Sequence, residues 1–153
     1  MASIKTTFKI DGLRELEAAL EELPKATQKN VLMRTLKEQA KPIADAGSSL
    51  APKLTGRLAR SYVVGTKLSK SQRKKYQKQS PVEVHVGPAP SAKSIQTEFG
   101  NSHQAAQPHM RPAWDSNVQR VLDGIKQSLA EQIDKAVQRL ARKAARIAAK
   151  NKS

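Results

Sequence analysis

The stretch of sequence that decides the fold runs from Glu98 to Trp114. It begins Glu98-Phe99-Gly100 and, after a polar bridge, continues Gln107-Pro108-His109-Met110-Arg111-Pro112-Ala113-Trp114. Because short alternating segments precede it and a long helical pattern follows it, we expect it to join the two halves of the chain. Its large apolar side chains either fill the core or face a neighbouring subunit. The candidate interface residues are Phe99, Gly100, Pro108, Met110, Arg111, Pro112 and Trp114.

The helical pattern that follows begins at Asp115. Its apolar residues recur at steps of three and four: Val118, Val121, Leu122, Ile125, Leu129, Ile133, Val137, Leu140, Ala144 and Ile147. A helix of about 35 residues would reach roughly 50 Å at 1.5 Å per residue, which exceeds the diameter of a small domain. We therefore expect its far end to project, to pack on another subunit or to fray. We predict a single domain over residues 1–138 and a basic helical extension over residues 139–153.

Two helices and a strand are predicted before residue 50. Residues 4–10 alternate between apolar and polar side chains, which is typical of a half-buried strand. A helical pattern then runs from Leu13 to Leu23, where Pro24 interrupts it. A second helical pattern follows to about Gly47, and Pro42 inside it predicts a kink or an early end.

Two further strands are predicted in the middle of the chain. Alternation from Leu58 to Gly65 predicts one strand, and alternation from Val82 to Val86 predicts the other. The polar connector over residues 67–80 makes the pair a hairpin with a long, mobile tip. The predicted fold class is α+β. A small antiparallel sheet, made of the N-terminal strand and the long-tipped hairpin, packs against a kinked N-terminal helix and a long C-terminal helix.

The composition indicates a modest core. Apolar residues make up 38% of the 153 residues and aromatic residues only 3%, so we expect oligomerisation to complete the core. The chain has no Cys, which excludes disulfides and thiolate metal sites. We expect neither a signal peptide nor a membrane span, because Lys5 and Lys9 interrupt the start and no apolar run approaches roughly 20 residues. These features indicate a soluble chain that is intracellular when made.

The formal net charge of +15 favours polyanionic partners, either nucleic acid or an acidic protein surface. The cations concentrate in a central loop and in the C-terminal tail. The candidate DNA-facing residues are Arg73, Lys74, Lys75, Arg139, Arg142, Lys143, Arg146 and Lys150. No sequence-reading module is present and aromatic residues for base stacking are scarce, so any nucleic acid would be held through its phosphates. The alternative is that both zones are simply solvated.

No catalytic or metal-binding constellation is expected. His103 and His109 lie six residues apart in a predicted loop and His85 lies on a predicted strand, which is poor geometry for a metal site. Glu98 with His103 or His109 could form an acid/base pair, but nothing in the sequence marks a pocket around them. A short motif, Thr55, Gly56, Leu58 and Ser61, has two interpretations: a phosphate-binding turn, or a local turn that needs the backbone freedom of Gly56.

Several segments, in order, resemble the neck or tail-completion proteins of long-tailed bacteriophages, which form part of the head–tail connector. The matching segments are Phe8 to Leu16, Ala51-Pro52 with Thr55-Gly56-Arg57-Leu58 and Ser61, Val84 to Pro88, Glu98 to Gly100, and Gln107 to Trp114. Two positions depart from the family pattern. Ile95 replaces an aromatic residue, and His109 stands where the family often has Phe.

The resemblance implies a structural virion protein without catalytic residues or cofactors. It implies an α+β subunit that assembles as a ring, a hexamer, between the DNA-filled head and the tail. The implied neighbours are a connector or stopper ring and the tail terminator or tail-tube proteins, with genomic DNA passing through the channel. Such a protein is made in the host cytoplasm and ends in the virion. The alternative function is a free, non-specific nucleic-acid-binding protein that acts through its basic loop and basic C-terminal helix.

Overall fold

The computed structural model describes residues 12–151, apart from the side chain of Ala92. Its elements, in chain order, are α1 (Leu13–Glu21), α2 (Lys25–Leu50), α3 (Arg57–Arg60), β1 (Tyr62–Gly65), α4 (Lys70–Lys75), β2 (His85–Pro88), α5 (Ala92–Phe99) and α6 (Met110–Lys150). The mixture of helices and a two-stranded antiparallel sheet confirms the α+β class. The predicted strand over residues 4–10 lies outside the described residues.

Two long helices form the frame of the fold. Helix α2 has 26 residues and helix α6 has 41. Gln39 reaches Gly124, whereas Val31 lies in one cluster with Ile133, so the two helices run in opposite directions. The buried residues of that cluster are Leu23, Val31, Leu129, Ile133 and Ala136, and α1 covers it with Leu16, Ala19 and Leu20. The apolar faces predicted for both helices therefore meet each other, as their periodicity requires.

Pro42 does not end α2, which continues past the predicted end to Leu50. A proline inside a helix removes one backbone hydrogen bond and costs about 3 kcal/mol. Three buried residues flank it: Ala40, Ile43 and Ala44. Packing of this face against the rest of the chain offsets the local cost, so α2 does not end early at Pro42, and the other predicted outcome, a kink, stays a prediction. Pro24 separates α1 from α2 as predicted.

The two strands pair as the predicted hairpin but are shorter than expected. Strand β1 pairs antiparallel with β2, from Tyr62 opposite Pro88 to Gly65 opposite His85. The prediction of a strand from Leu58 was wrong, because residues 57–60 form the helical turn α3. The prediction that the second strand begins at Val82 was also wrong, because pairing ends where β1 ends and Gly65 lies opposite His85. Both strands contact α2.

The connector between the strands contains a helix that was not predicted. Ser69 caps α4 by accepting a hydrogen bond from the Gln72 N–H, and the Gln72 side chain accepts one from the Ser69 N–H. The sequence contains the pattern of this reciprocal capping box, which is Ser followed three residues later by Gln. In residues 12–151, no helix combines the length and the apolar character needed to cross a membrane.

Candidate assembly interface

The turn after α5 requires a glycine at position 100. Gly100 has φ of 74°, and a Cβ placed there would lie 2.8 Å from the backbone nitrogen of Ala106. The chain folds back at this point, and the Gln107 N–H donates to the Thr97 carbonyl at 2.8 Å. A side chain at position 100 would be both strained and in collision with backbone. The backbone of this turn therefore explains why the Glu98-Phe99-Gly100 motif ends in glycine.

The carboxylate of Glu98 caps the start of α6. Its Oε2 accepts hydrogen bonds from the N–H groups of His109 and Met110, both at 2.8 Å, and its Oε1 accepts one from Arg111 at 3.0 Å. The prediction that this helix begins at Asp115 was wrong, because α6 begins at Met110. A helix leaves its first N–H groups unpaired, and here a carboxylate from α5 pairs them, which no local capping pattern indicates.

The capping geometry changes the acidity of Glu98. Burial by itself would raise its pKa, since the side chain is only 9% exposed. The three backbone N–H groups and the nearby His109 outweigh that effect, so the pKa of Glu98 lies below its usual value. The carboxylate is therefore held in its charged form at the positive end of the helix dipole.

His109 is buried beneath this cap. Its residue exposure is 0%, and its Nδ1 contacts the Tyr62 hydroxyl and lies 3.7 Å from Glu98 Oε2. Burial, with the Glu98 charge, raises the pKa of Tyr62 to about 12, so the hydroxyl keeps its proton at neutral pH. The hydroxyl donates to Nδ1 in one tautomer of the ring and accepts from Nδ1–H in the other. The Nε2 of His109 is buried and has no partner in the described part of the chain.

His109 lies in the loop before α6, as predicted, but it is buried there, whereas His103 is exposed. The signal that could have identified His109 was its place at a position where the resembling family often has Phe. That pattern indicates a buried site. Polar contacts from Tyr62 and Glu98 make a histidine tolerable there.

Tyr62 extends the contact to α2. A Cβ at Gly47 would overlap the Tyr62 ring, so the ring lies directly on the helix backbone. The ring also meets His109 edge-on, with centroids 5.8 Å apart. Four elements thus converge through Gly47, Tyr62, Glu98 and His109, which we call the polar bracket: α2, β1, α5 and the start of α6.

Large apolar side chains lie exposed beside the bracket. Ile95 is 63% exposed, Phe99 64% and Trp114 43%. They line a shallow groove of about 390 Å³, which we call the apolar groove, together with Met110. The Arg111 guanidinium lies 5.5 Å from the centre of the Phe99 ring, within the range of a cation–π contact. Isolated exposed apolar residues are ordinary, but three that line one groove are a candidate interaction surface.

The structure brings most of the predicted interface residues together. Phe99, Met110, Arg111 and Trp114 line the apolar groove, and Pro112 lies half-buried in the first turn of α6. Gly100 and Pro108 belong to the turn between α5 and α6. Ile95, Pro88 and Glu98 also line the groove and were not predicted as interface residues.

The predicted loop motif is a compact turn beside α3. Gly56 has φ of 66°, and the Arg57 N–H donates to Thr55 Oγ1 at 3.4 Å. Ser61 Oγ donates to the Leu58 carbonyl at 2.7 Å. These contacts favour the interpretation as a local turn over a phosphate-binding turn.

The basic residues form two separate surfaces. Arg73, Lys74 and Lys75 lie exposed in the last turn of α4. On α6, five candidate residues are exposed: Arg139, Arg142, Lys143, Arg146 and Lys150. Lys75 borders a groove beside β2, whereas Arg139 and Lys143 border one between α2 and α6. Within residues 12–151, no cluster of His, Asp and Glu has the arrangement of a metal site.

Comparison with known proteins identifies one family. The family described as "Bacteriophage HK97-gp10, putative tail-component" matches residues 14–100, which span α1 to the Gly100 turn. The description is that of a structural part of the virion rather than of an enzyme. Comparison with curated proteins found no match, and neither did comparison with solved structures. Because the match covers more than half of the chain, the protein belongs to the HK97-gp10-like family of bacteriophage tail components.

Proposed function

We propose that the protein forms a ring in the neck of the phage particle, a hexamer that joins the DNA-filled head to the tail. In this ring the apolar groove is the contact between neighbouring subunits. The adjacent partners are a connector or stopper ring on one side and tail terminator or tail-tube proteins on the other. Membership of a tail-component family supports a role in the virion, and the exposed apolar groove carries the proposal of assembly.

The composition of the groove supports a protein contact. Trp and Arg are the residue types that dominate binding energy at protein interfaces, and Trp114 and Arg111 both line this groove. Phe99 presents nearly two-thirds of its surface to solvent. The chain has only five aromatic residues of the Phe, Tyr and Trp types. Because two of them are exposed at one groove, the small core loses the apolar area that they would bury. A partner that covers the groove restores that burial.

The polar bracket supports a preorganised surface. Glu98 fixes the start of α6 relative to α5, and these two elements carry Phe99 and Trp114 respectively. A surface held in its bound arrangement loses less conformational entropy on association. The bracket therefore gives the groove a defined shape before assembly.

The experiment compares two serine variants in a phage that lacks its own copy of the gene. One carries Phe99→Ser with Trp114→Ser in the apolar groove. The control carries Leu54→Ser, since Leu54 is 98% exposed and lies outside the groove. We expect wild type and control to restore infectious particles. The variant with Phe99→Ser and Trp114→Ser should leave filled heads and separate tails in electron micrographs. Infectious particles at the wild-type level from the variant with Phe99→Ser and Trp114→Ser would contradict the proposal.

A second candidate function is free, non-specific nucleic-acid binding. The exposed cations of α4 and of the α6 tail favour it. The two functions differ in their consequence for the virus. If the chain acts only as a free binder, particles made without it should still contain joined heads and tails. If it is a neck component, particles should contain it in stoichiometric amounts, and purified virions labelled for the chain should carry the label at the head–tail junction.

A further inference from the structure

We propose that the groove between α2 and α6 binds the phosphate backbone of double-stranded nucleic acid. The inference deepens the proposed function and rests on it, because it names the surface through which the ring contacts the DNA that passes through it. The sequence indicated basic zones in the central loop and the tail. The groove adds cations from α2, which neither zone contains.

Both walls of the groove are basic. Arg34, Lys37 and Lys41 of α2 line one wall. Arg139 and Lys143 of α6 line the other wall. Arg34 and Arg139 also border an adjoining hollow, to which α6 adds Lys135 and Arg142. Glu38 is the one acidic residue among those that line these two grooves. The local charge is therefore strongly positive.

The cations are not neutralised within the described part of the chain. Over residues 12–151, no Lys or Arg side chain lies within 4 Å of an Asp or Glu carboxylate, and the one carboxylate contact of that length joins Glu98 and His109 at the polar bracket. Arg34 and Glu38 are spaced i,i+4 with opposite charges, but two pairs of cations share that spacing. Lys37 and Lys41 are spaced i,i+4, as are Lys135 and Arg139, and such like-charge pairs destabilise a helix. A bound polyanion would remove this repulsion.

The residue types favour nucleic acid over an acidic protein. Protein interfaces are depleted of Lys at their centres and enriched in aromatic residues. The groove has four Lys and no aromatic residue. Lys135 to Lys143 spans about 12 Å of helix at 1.5 Å per residue. Duplex DNA presents one charge per roughly 1.7 Å of its axis, so several phosphates lie within reach of this wall.

The test compares two variants with the same loss of charge. The groove variant carries Lys37→Gln, Arg139→Gln and Arg142→Gln. The control carries Arg14→Gln on α1, Lys93→Gln on α5 and Arg120→Gln on α6, which lie outside the groove and outside both basic zones. All six residues are exposed, so both variants should fold, and circular dichroism checks this. The measurement is the affinity of the purified full chain for a fluorescent duplex of about 20 base pairs, by anisotropy, between roughly 50 and 200 mM salt.

We expect the groove variant to flatten the slope of log affinity against log salt by about 2.7, at about 0.9 per lost phosphate contact. Its affinity at about 0.1 M salt should fall by roughly two to three decades, and the control should keep the wild-type slope. Equal flattening in both variants would overturn the inference, because net charge alone would then explain binding. An unchanged slope in the groove variant would also overturn it. Polyglutamate serves as a second probe in the same assay. If the groove variant lost polyglutamate binding but kept DNA binding, the groove would be assigned to an acidic protein and the inference would be overturned.

The outcome is separable from that of the proposed function. The groove variant keeps Phe99 and Trp114, so it should assemble to the same mass as wild type in native mass spectrometry. If the groove variant forms rings and binds DNA with wild-type affinity, the inference about the groove is wrong and the proposed ring stands. A flattened slope in a chain that never forms rings would retain the DNA surface and remove the ring.

Discussion

The carboxylate of Glu98 accepts a hydrogen bond from the N–H of Met110 at 2.8 Å, so the last turn of one helix determines where the longest helix begins. The first N–H groups of a helix need acceptors, and most helices obtain them from a side chain next to the start. Here the acceptor lies 12 positions earlier in the sequence. Glu98 therefore ties the start of α6, and with it Trp114 of the apolar groove, to α5.

Glu98→Gln should destabilise the fold by about 1 kcal/mol at pH 7, because an amide replaces a charged acceptor at a helix start. Glu131→Gln is the matched control, since Glu131 is exposed on α6 and accepts no such bonds. Urea unfolding followed by circular dichroism measures the difference. A free energy of unfolding for Glu98→Gln equal to that of the control would contradict the capping role.

The same side chain should make stability depend on acid pH. The pKa of Glu98 is lower in the folded chain than its ordinary value, so as the pH falls the unfolded chain takes up this proton first. Its contribution is therefore fully present above about 4.3, the ordinary Glu value, and is lost as the pH falls through the lower folded value. Unfolding free energies measured from pH 6 down to acid pH should fall less steeply in Glu98→Gln than in wild type. Parallel profiles would contradict this assignment.

Tyr62→Phe should cost about 1–3 kcal/mol, because it leaves His109 Nδ1 buried without its hydroxyl partner. Tyr76→Phe is the control, since Tyr76 is 41% exposed and should change stability little. Alkaline pH gives a second measurement. Burial and the Glu98 charge raise the pKa of Tyr62 to about 12. The folded chain therefore keeps the proton longer, and wild-type stability should fall as the pH rises above about 10. Tyr62→Phe should lack this part of the loss.

Two glycines in long helices should respond in opposite ways to alanine. Ala is normally better than Gly in a helix interior by about 1 kcal/mol. At Gly124 a new Cβ would meet only the end of the flexible Gln39 side chain, so Gly124→Ala should stabilise by roughly 0.5–1 kcal/mol. At Gly47 it would overlap the Tyr62 ring, which the His109 contact holds in place, so Gly47→Ala should destabilise by about 1–3 kcal/mol. Thermal unfolding measures both, and stabilisation by Gly47→Ala would contradict the contact.

The features that sequence predicts well here are those that one periodic segment defines by itself. The apolar stripes of α2 and α6 repeat over many turns, so the existence of both helices followed from spacing alone, whereas their packing against each other was not predicted. Strand pairing followed from alternation, but strand ends did not. Gly65 stops the ladder opposite His85, and the end of a strand depends on its partner as much as on its own sequence.

The candidate site was predictable only in part, because long-range contacts create it. Phe99, Met110 and Trp114 were identified from composition and from the resemblance. The cap from Glu98 to Met110 and the contact from Tyr62 to His109 join residues 12 and 47 positions apart. No local pattern encodes such a pair. The burial of His109 was therefore not predicted, and α6 was expected to begin five residues late.

Trp114→Ala tests whether the apolar groove is a surface of the isolated chain or part of its core. A fully buried Trp would cost about 3–5 kcal/mol when cut to Ala, but Trp114 is 43% exposed, so we expect about 1–2 kcal/mol in dilute urea unfolding. Val137→Ala on the same helix, at a residue that is 50% exposed outside the groove, is the control. The larger defect of Trp114→Ala should appear in assembly, as a loss of rings in native mass spectrometry that Val137→Ala does not share. A cost above about 3 kcal/mol with rings intact would instead place Trp114 in the core of the subunit.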